Sequence, residues 1–246
     1  TLSYAIDYRF SGTGPVSYHV SNIIYHAITA LLVYLVTISL IPQQATALVA
    51  ALIFAVHPVH TDSVAYLSGR RDMLFALFYL AGFWCFLRHR KRNRLPYLIA
   101  AMVLYLLSIG SKEMGVTLPL VFFIYDALGR LPQTTSGAPS LSLREAGRAI
   151  RNTIRQHKYF YGAFFLCALC FSIYKIFIYP SSHQEGYYGG SVVVTMLTVG
   201  RILVHYIKLL LFPVTLVADY SYDAFPLSYS ILEWRTFSAF VILLVL

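Results

Sequence analysis

The sequence predicts an all-α fold, a polytopic transmembrane helix bundle with an amphipathic helix on its outer face. Three observations carry this expectation. Of 246 residues, 58% are apolar, 12% are charged and mean hydropathy is +0.66, whereas soluble domains carry about 25% charged residues. Apolar runs recur at residues 20–40, 45–56, 73–87, 95–109, 114–128, 159–179 and from 237 onward, giving six complete spans and one cut short. Apart from Asp126 and Lys175, the charges lie between these runs rather than inside them.

Ahead of and within the first run, YHVSNIIYH sets His19, Asn22 and His26 on one helical face, where interhelical hydrogen bonding is their expected use. The next two runs are short. Runs 45–56 and 73–87 have 12 and 15 residues, or about 18 and 22 Å of helix, against a hydrocarbon core of about 30 Å. The polar stretch between them, HPVHTDSVAYLSGRRD at 57–72, is therefore expected to reach headgroup depth and line a cavity, with Pro58 breaking the helix. Ionisable groups at that depth mark a functional site by default. Loop salt bridges, such as Arg70 or Arg71 with Asp72 and Lys112 with Glu113, are the plain alternative.

Orientation follows from the basic loops. RHRKRNR at 88–94 holds five Lys/Arg and segment 129–158 holds six, and an excess of positive charge marks cytoplasmic loops. This placement accounts for the net charge of +9 without a nucleic-acid partner. Within the cytoplasmic basic loop 129–158, QTTSGAPS reads as a connector and SLREAGRAIRNTIRQHK as a basic surface helix. Residues 57–72, 111–113 and 180–235 then face the lumen or periplasm, together with eight of the ten acidic residues. In segment 180–235, GRILVHYIKLLLFPVTL puts Arg201, His205 and Lys208 at i, i+4 and i+7, which reads as a helix laid flat on the outer interface, or alternatively as a tilted span. Cys85, Cys167 and Cys170 all lie in apolar runs and read as packing residues. The chain starts without methionine and stops in a short apolar run, and is expected to be a fragment of a longer protein.

Three motifs in order, HPVHTDSVAYLSGRRDML, LLSIGSKEMGVTLPLVFFIYD and LVADYSYDAFPL, resemble the membrane half of the TMTC family, the transmembrane and tetratricopeptide-repeat O-mannosyltransferases. YHVSNIIYHAITALLVY is similar to the second span of that family. His57 and Asp62 match its HPxHTE pattern, with aspartate in place of glutamate. Arg70 matches its GR position, Lys112 and Glu113 its SKE, and Asp219 and Asp223 its DYSxDA; Arg71 departs, since a small residue is usual there. The wording of SKEM and DYSYDA is closer to bacterial members than to animal ones. The resemblance implies a GT-C fold in the bacterial cytoplasmic or the endoplasmic reticulum membrane. It also implies transfer of a sugar, mannose in the family, from a polyprenyl-phosphate carrier to a Ser/Thr hydroxyl or other acceptor. The family's first outer loop, which supplies an acidic base, is expected upstream of Thr1, and its tetratricopeptide repeats beyond the last span.

That chemistry needs cations for the departing phosphate, for which Arg70, Arg71, Lys112, Arg201 and Lys208 are candidates. It needs a carboxylate for the acceptor hydroxyl, with Asp62 and Glu113 as candidates in this chain. His57, His60, Asp72, Asp219 and Asp223 are expected to line the acceptor side of the cavity. No cofactor is certain; a divalent cation would take Asp62, with His57 or His60. A zinc reading of HPVH lacks a third placed ligand. Expected partners are the polyprenyl-phosphate sugar, an acceptor protein or glycan, and membrane lipids. Two other classes are a non-catalytic scaffold of the same fold and a transporter. The transporter fits less well, because the span centres carry almost no charge.

Overall fold

The structure, a computed structural model, describes residues 2–131, 142–178, 187–214, 216–217 and 225–245. Among the described residues it is all-α, with no strand. The helices are α1 (Leu2–Ser11), α2 (Pro15–Leu40), α3 (Gln44–Val56), α4 (Thr61–Ala65), α5 (Arg70–Arg92), α6 (Leu95–Ser111), α7 (Leu118–Leu128), α8 (Leu143–Ile173), α9 (Val192–Leu211) and α10 (Trp234–Val245).

Local chemistry sets most of the helix ends. α2, α6 and α7 each start with proline in their first turn, where its missing N–H costs nothing. α3 stops at Val56 because His57 turns extended and Pro58 opens a 3-10 turn. α5 has Asp72 in its first turn and His89, Arg90, Lys91 and Arg92 in its last, matching the helix dipole, and Asn93 ends it in the left-handed conformation. Ser142 caps the start of α8, its Oγ accepting from the Glu145 N–H at 3.3 Å and donating to the Glu145 carboxylate at 2.6 Å.

Several boundaries differ from those expected. α1 falls outside every apolar run and was not anticipated, because LSYAIDYRFS is polar enough to read as a loop. Residues 113–117 form a 3-10 turn, so α7 begins at Leu118 and has 11 residues. The basic surface helix and the following span form one helix, α8, with non-helical angles at His157 marking the join. α9 begins at Val192 and ends at Leu211, so the cationic stripe lies in the second half of a 20-residue helix. Against six expected complete spans, three helices among the described residues are long and apolar enough to cross a membrane by length and composition: α2, Leu143–Ile178 and α9. α3 with Pro58–Ala65 makes a fourth if counted as one bent span. The length of α9 thus admits a crossing as well as the flat position read from its stripe.

The chain divides into two compact units, one of Thr1–Val56 and Ser63–Pro180, the other of His57–Asp62 and Ser181–Leu246. In the first, α5 packs along α6 and α2, and α7 against α8. Its core is aromatic: Phe86 stacks on Phe122 at 4.2 Å, and Phe83, Tyr105, Phe160 and Phe164 close around them. Gly82 lets α5 approach the Leu118 side chain, which an added Cβ would meet at 3.1 Å. At the basic end of this unit Asp126 accepts from Arg90 Nε at 3.1 Å and Nη2 at 2.6 Å, and from the Tyr161 hydroxyl at 2.5 Å. Tyr161→Phe removes that hydroxyl from a largely buried carboxylate and is expected to cost about 1.5 to 3 kcal/mol, read as a lower midpoint in thermal unfolding. In the second unit α9 and α10 pack together, with Gly200 under the Phe240 ring, and the Ser228 N–H donates to Thr198 Oγ1 at 3.1 Å.

Candidate functional site

The polar residues of 57–72 and 111–113 do not all serve the same purpose. Arg70 begins α5 and is 0% exposed. Its Nη1 is ion-paired with the Asp7 carboxylate, its Nε donates to Asn22 Oδ1 at 2.8 Å, and its Nη2 donates to the Tyr18 carbonyl at 2.8 Å. The Tyr4 ring lies 4.5 Å from its guanidinium carbon, with Tyr18 and Tyr25 at 5.7 Å. Asp7 also accepts from Ser21 Oγ at 2.7 Å, Asn22 donates onward to the Val64 carbonyl at 3.1 Å, and the Tyr4 hydroxyl donates to the Leu67 carbonyl. Arg70 thus joins α1, α2 and the loop before α5. Its planar fork suits this, because three donors reach three acceptors without strain. The loop is tight as well: a Cβ on Gly69 would stand 2.7 Å from Ser63 Cα.

One residue on, the environment reverses. The Arg71 side chain is 57% exposed, with its Nε 3.5 Å from the Ser111 carbonyl and its Nη2 4.0 Å from the Glu113 carboxylate. Asp72 pairs with Lys112, which caps the end of α6. Glu113 is held at 2.7 Å by Lys175 of the π-helical turn Tyr174–Ile178 that follows α8. Hydrogen bonding from Lys175 first, then from its own backbone N–H, draws the Glu113 carboxyl below the usual carboxylate range. Since the folded value is the lower one, the tie is complete above the ordinary carboxylate range and is lost as pH falls through the lowered value. Five charged side chains from α5, the 112–113 turn and the turn that follows α8 therefore meet at one end of an apolar unit. The turn is fixed by Gly115, whose added Cβ would stand 2.6 Å from Ile109 N and 2.7 Å from Ser108 C.

In the second unit, His57 Nδ1 accepts from the Val59 N–H at 3.2 Å, which leaves the proton on Nε2, 3.0 Å from the Leu210 carbonyl. Both ring nitrogens are occupied, so His57 is not disposed to bind the divalent cation considered for it. His60 stands edge-on to His57 at 6.0 Å between ring centres. Asp62 is exposed in the first turn of α4 and carries no hydrogen bond or ion pair among the described residues. Arg201 Nη1 donates to the Pro226 carbonyl at 2.9 Å and to Ser228 Oγ at 2.8 Å, while Lys208 is exposed on α9. Among the described residues no three of His, Cys, Asp or Glu converge on a point that would hold a metal. Asp219 and Asp223 lie outside the described residues.

The structure thus brings Arg71, Asp72, Lys112 and Glu113 together and turns Arg70 inward. Two participants had no place in the sequence reading. Asp7 pairs across 63 positions, and nothing local in its helix points to Arg70. Lys175 is visible as a lone cation near the end of the apolar run 159–179.

Residues 5–136, more than half of the chain, match the family described as dolichyl-phosphate-mannose-protein mannosyltransferase. The chain belongs to that family. Both halves of the Asp7–Arg70 pair and the whole 111–113 turn of this mannosyltransferase-family chain fall inside the matched residues. It is similar to the protein O-mannosyl-transferase Tmtc1 of Drosophila melanogaster, 33% identical over 135 residues, or 55% of this chain and 16% of that protein. It is also similar to protein O-mannosyl-transferase TMTC3 of Homo sapiens, 30% over 128 residues, 51% of this chain and 14% of that protein. Protein O-mannosyl-transferase tmtc2 of Xenopus laevis aligns along all of it, 28% over 263 positions, covering 30% of that protein. The chain spans less than a third of the length of these relatives. All three come from animals, so the likeness of SKEM and DYSYDA to bacterial members has no counterpart among them. No solved structure matches the chain at a significant level.

Proposed function

We propose that this chain is part of an integral membrane glycosyltransferase that moves mannose from a polyprenyl-phosphate donor to a Ser/Thr hydroxyl on the lumenal or periplasmic face. The observation that carries this reading is the gathering of Arg71, Lys112 and Lys175 with Asp72 and Glu113 at one end of an apolar helix unit. Family membership supports mannose and the lipid carrier; the basic loops at 88–94 and 129–158 support the outer face.

In the proposed reaction the acceptor oxygen attacks the anomeric carbon and the bond from that carbon to the phosphate oxygen breaks. The electron pair leaves on the polyprenyl phosphate, and the hydroxyl proton passes to a carboxylate. Cations that meet the growing negative charge lower the barrier. Arg71 is best placed for this, because it is the most exposed cation of the cluster and its carboxylate neighbour is at 4.0 Å. Lys112, oriented by Asp72, serves as the second. Arg70 has the supporting part, holding α1 and α2 against the start of α5. Glu113 is a weak proton acceptor in this setting, since its lowered proton affinity suits it to holding Lys175. Asp62, exposed and without a hydrogen bond or ion pair among the described residues, belongs to the other unit and stands as a separate candidate base, tested on its own.

The test is transfer in vitro by the full-length protein from mannosyl-phospho-polyprenol to an acceptor peptide. Arg71→Ala and Lys112→Ala are each expected to reduce kcat/KM by about tenfold or more, equal to about 1.4 kcal/mol of barrier, and Asp62→Asn by more. Near-normal transfer in both cation variants rejects the phosphate-binding role. Near-normal transfer in Asp62→Asn removes that residue as base.

A further inference from the structure

A second charged feature lies at the other end of α5, some 16 residues along the helix from Asp72, or about 24 Å at the rise of an α-helix. Here the ends of α2 and α5 and one side of α7 enclose a pocket of about 660 Å³. Arg88, Arg90 and Lys91 line it together with Trp84, and no acidic residue does. Leu35, Ile38 and Leu87 supply an apolar wall.

The three cations differ in their state. Arg90 is neutralised by its two-point contact with Asp126 and covered by the rings of Phe86 and Phe160. Arg88 and Lys91 have no ion pair among the described residues. The Arg88 guanidinium lies 5.1 Å from the centre of the Trp84 ring, and both Arg88 Nε and Trp84 Nε1 are buried without an acceptor. Two cations without a carboxylate partner among the described residues thus stand together on one pocket wall.

We infer that this pocket binds the phosphate group of an anionic ligand, with Arg88 and Lys91 as its contacts. A guanidinium fork and an ammonium fit a tetrahedral oxyanion, and the charge requirement excludes a zwitterionic headgroup as an equal competitor. Phosphate in this position has two sources, a phospholipid headgroup or a free phosphate compound. The apolar wall beside the cations, which would receive an acyl chain, favours an anionic phospholipid of the leaflet that faces the basic loops. This site is separate from the proposed transfer chemistry and does not depend on it.

The experiment is native mass spectrometry of the full-length protein in neutral detergent with phosphatidylglycerol or phosphatidylcholine as the added probe. Wild type is expected to retain phosphatidylglycerol over phosphatidylcholine by about tenfold, the order given by two uncompensated cations near a membrane surface. Arg88→Gln with Lys91→Gln abolishes the preference, and either substitution alone weakens it. Excess inorganic phosphate distinguishes the sources: phosphatidylglycerol that stays bound identifies the headgroup, and phosphatidylglycerol that is displaced identifies a free-phosphate site. Equal retention of the two lipids by wild type overturns the inference. So does an undiminished preference in the double variant, and if that variant does not fold, an undiminished preference in both Arg88→Gln and Lys91→Gln decides against it.

Discussion

Asp7→Ala is expected to destabilise the protein by about 3 to 5 kcal/mol, the range for breaking a buried ion pair from one side. The reason lies with the partner left behind. Arg70 is fully buried, and Asp7 supplies the only formal negative charge that the described residues bring to it. Without Asp7 the guanidinium keeps two neutral acceptors, Asn22 Oδ1 and the Tyr18 carbonyl, and three tyrosine rings. None of these cancels a unit charge, and no solvent reaches it. Asp7→Asn retains the shape and an acceptor for Ser21, and should lose less than Asp7→Ala. Arg70→Met added to Asp7→Ala should recover part of the loss, because an empty charge site is less costly than half of one. Recovery will be incomplete, since Asn22 and the Tyr18 carbonyl are then left short of a donor, at about 1 to 3 kcal/mol. Thermal unfolding in detergent of the two single variants and the double variant measures the coupling. A loss below about 1 kcal/mol for Asp7→Ala would mean that water reaches Arg70 and that the pair is a surface contact.

This pair also shows where sequence reading stops. The helix signals were local and could be read: the prolines opening α2 and α6, the S-x-x-E cap before α8, Pro58 ending α3, and the charge gradient along α5. The gathering of 72 with 112 and 113 was also legible, because two antiparallel helices joined by a basic turn must return their far ends to one place. Arg70 and Arg71 were not distinguishable. They are neighbours at a helix start, about 100° apart around the axis, and which one turns inward depends on what packs there. What packs there is α1, whose sequence gave no helical or functional sign. The family resemblance pointed at Arg70 because it fills the motif position, and the structure gives a reason for that position that is not ligand contact. Fewer helices among the described residues reach the length of a crossing than there are apolar runs, for a related reason. Apolar runs measure composition, whereas the 3-10 turn at Glu113–Thr117 shortens the helix that its run contains.

Gly115→Val should lower transfer by about a hundredfold, the penalty associated with misplacing reacting groups by about 1 Å, while lowering stability by only about 1 to 3 kcal/mol. The site of strain is backbone against backbone: the added Cβ would stand 2.6 Å from Ile109 N and 2.7 Å from Ser108 C, so no side-chain rotation relieves it. The turn must move off the end of α6 instead. That turn carries Lys112, which pairs with Asp72, and Glu113, which holds Lys175 and faces Arg71. Displacing it therefore separates all three cations of the proposed donor site at once, whereas Arg71→Ala removes one. The expected order is Gly115→Val below Arg71→Ala below wild type in kcat/KM, with Gly115→Ala between Gly115→Val and wild type because a single methyl needs a smaller shift. A folded Gly115→Val protein that transfers mannose at the wild-type rate would show that the 112–117 turn is free to move without consequence, and would separate the charge cluster from the chemistry. If instead kcat falls while the melting point stays within a few degrees, the loss belongs to the geometry of the cluster and not to unfolding.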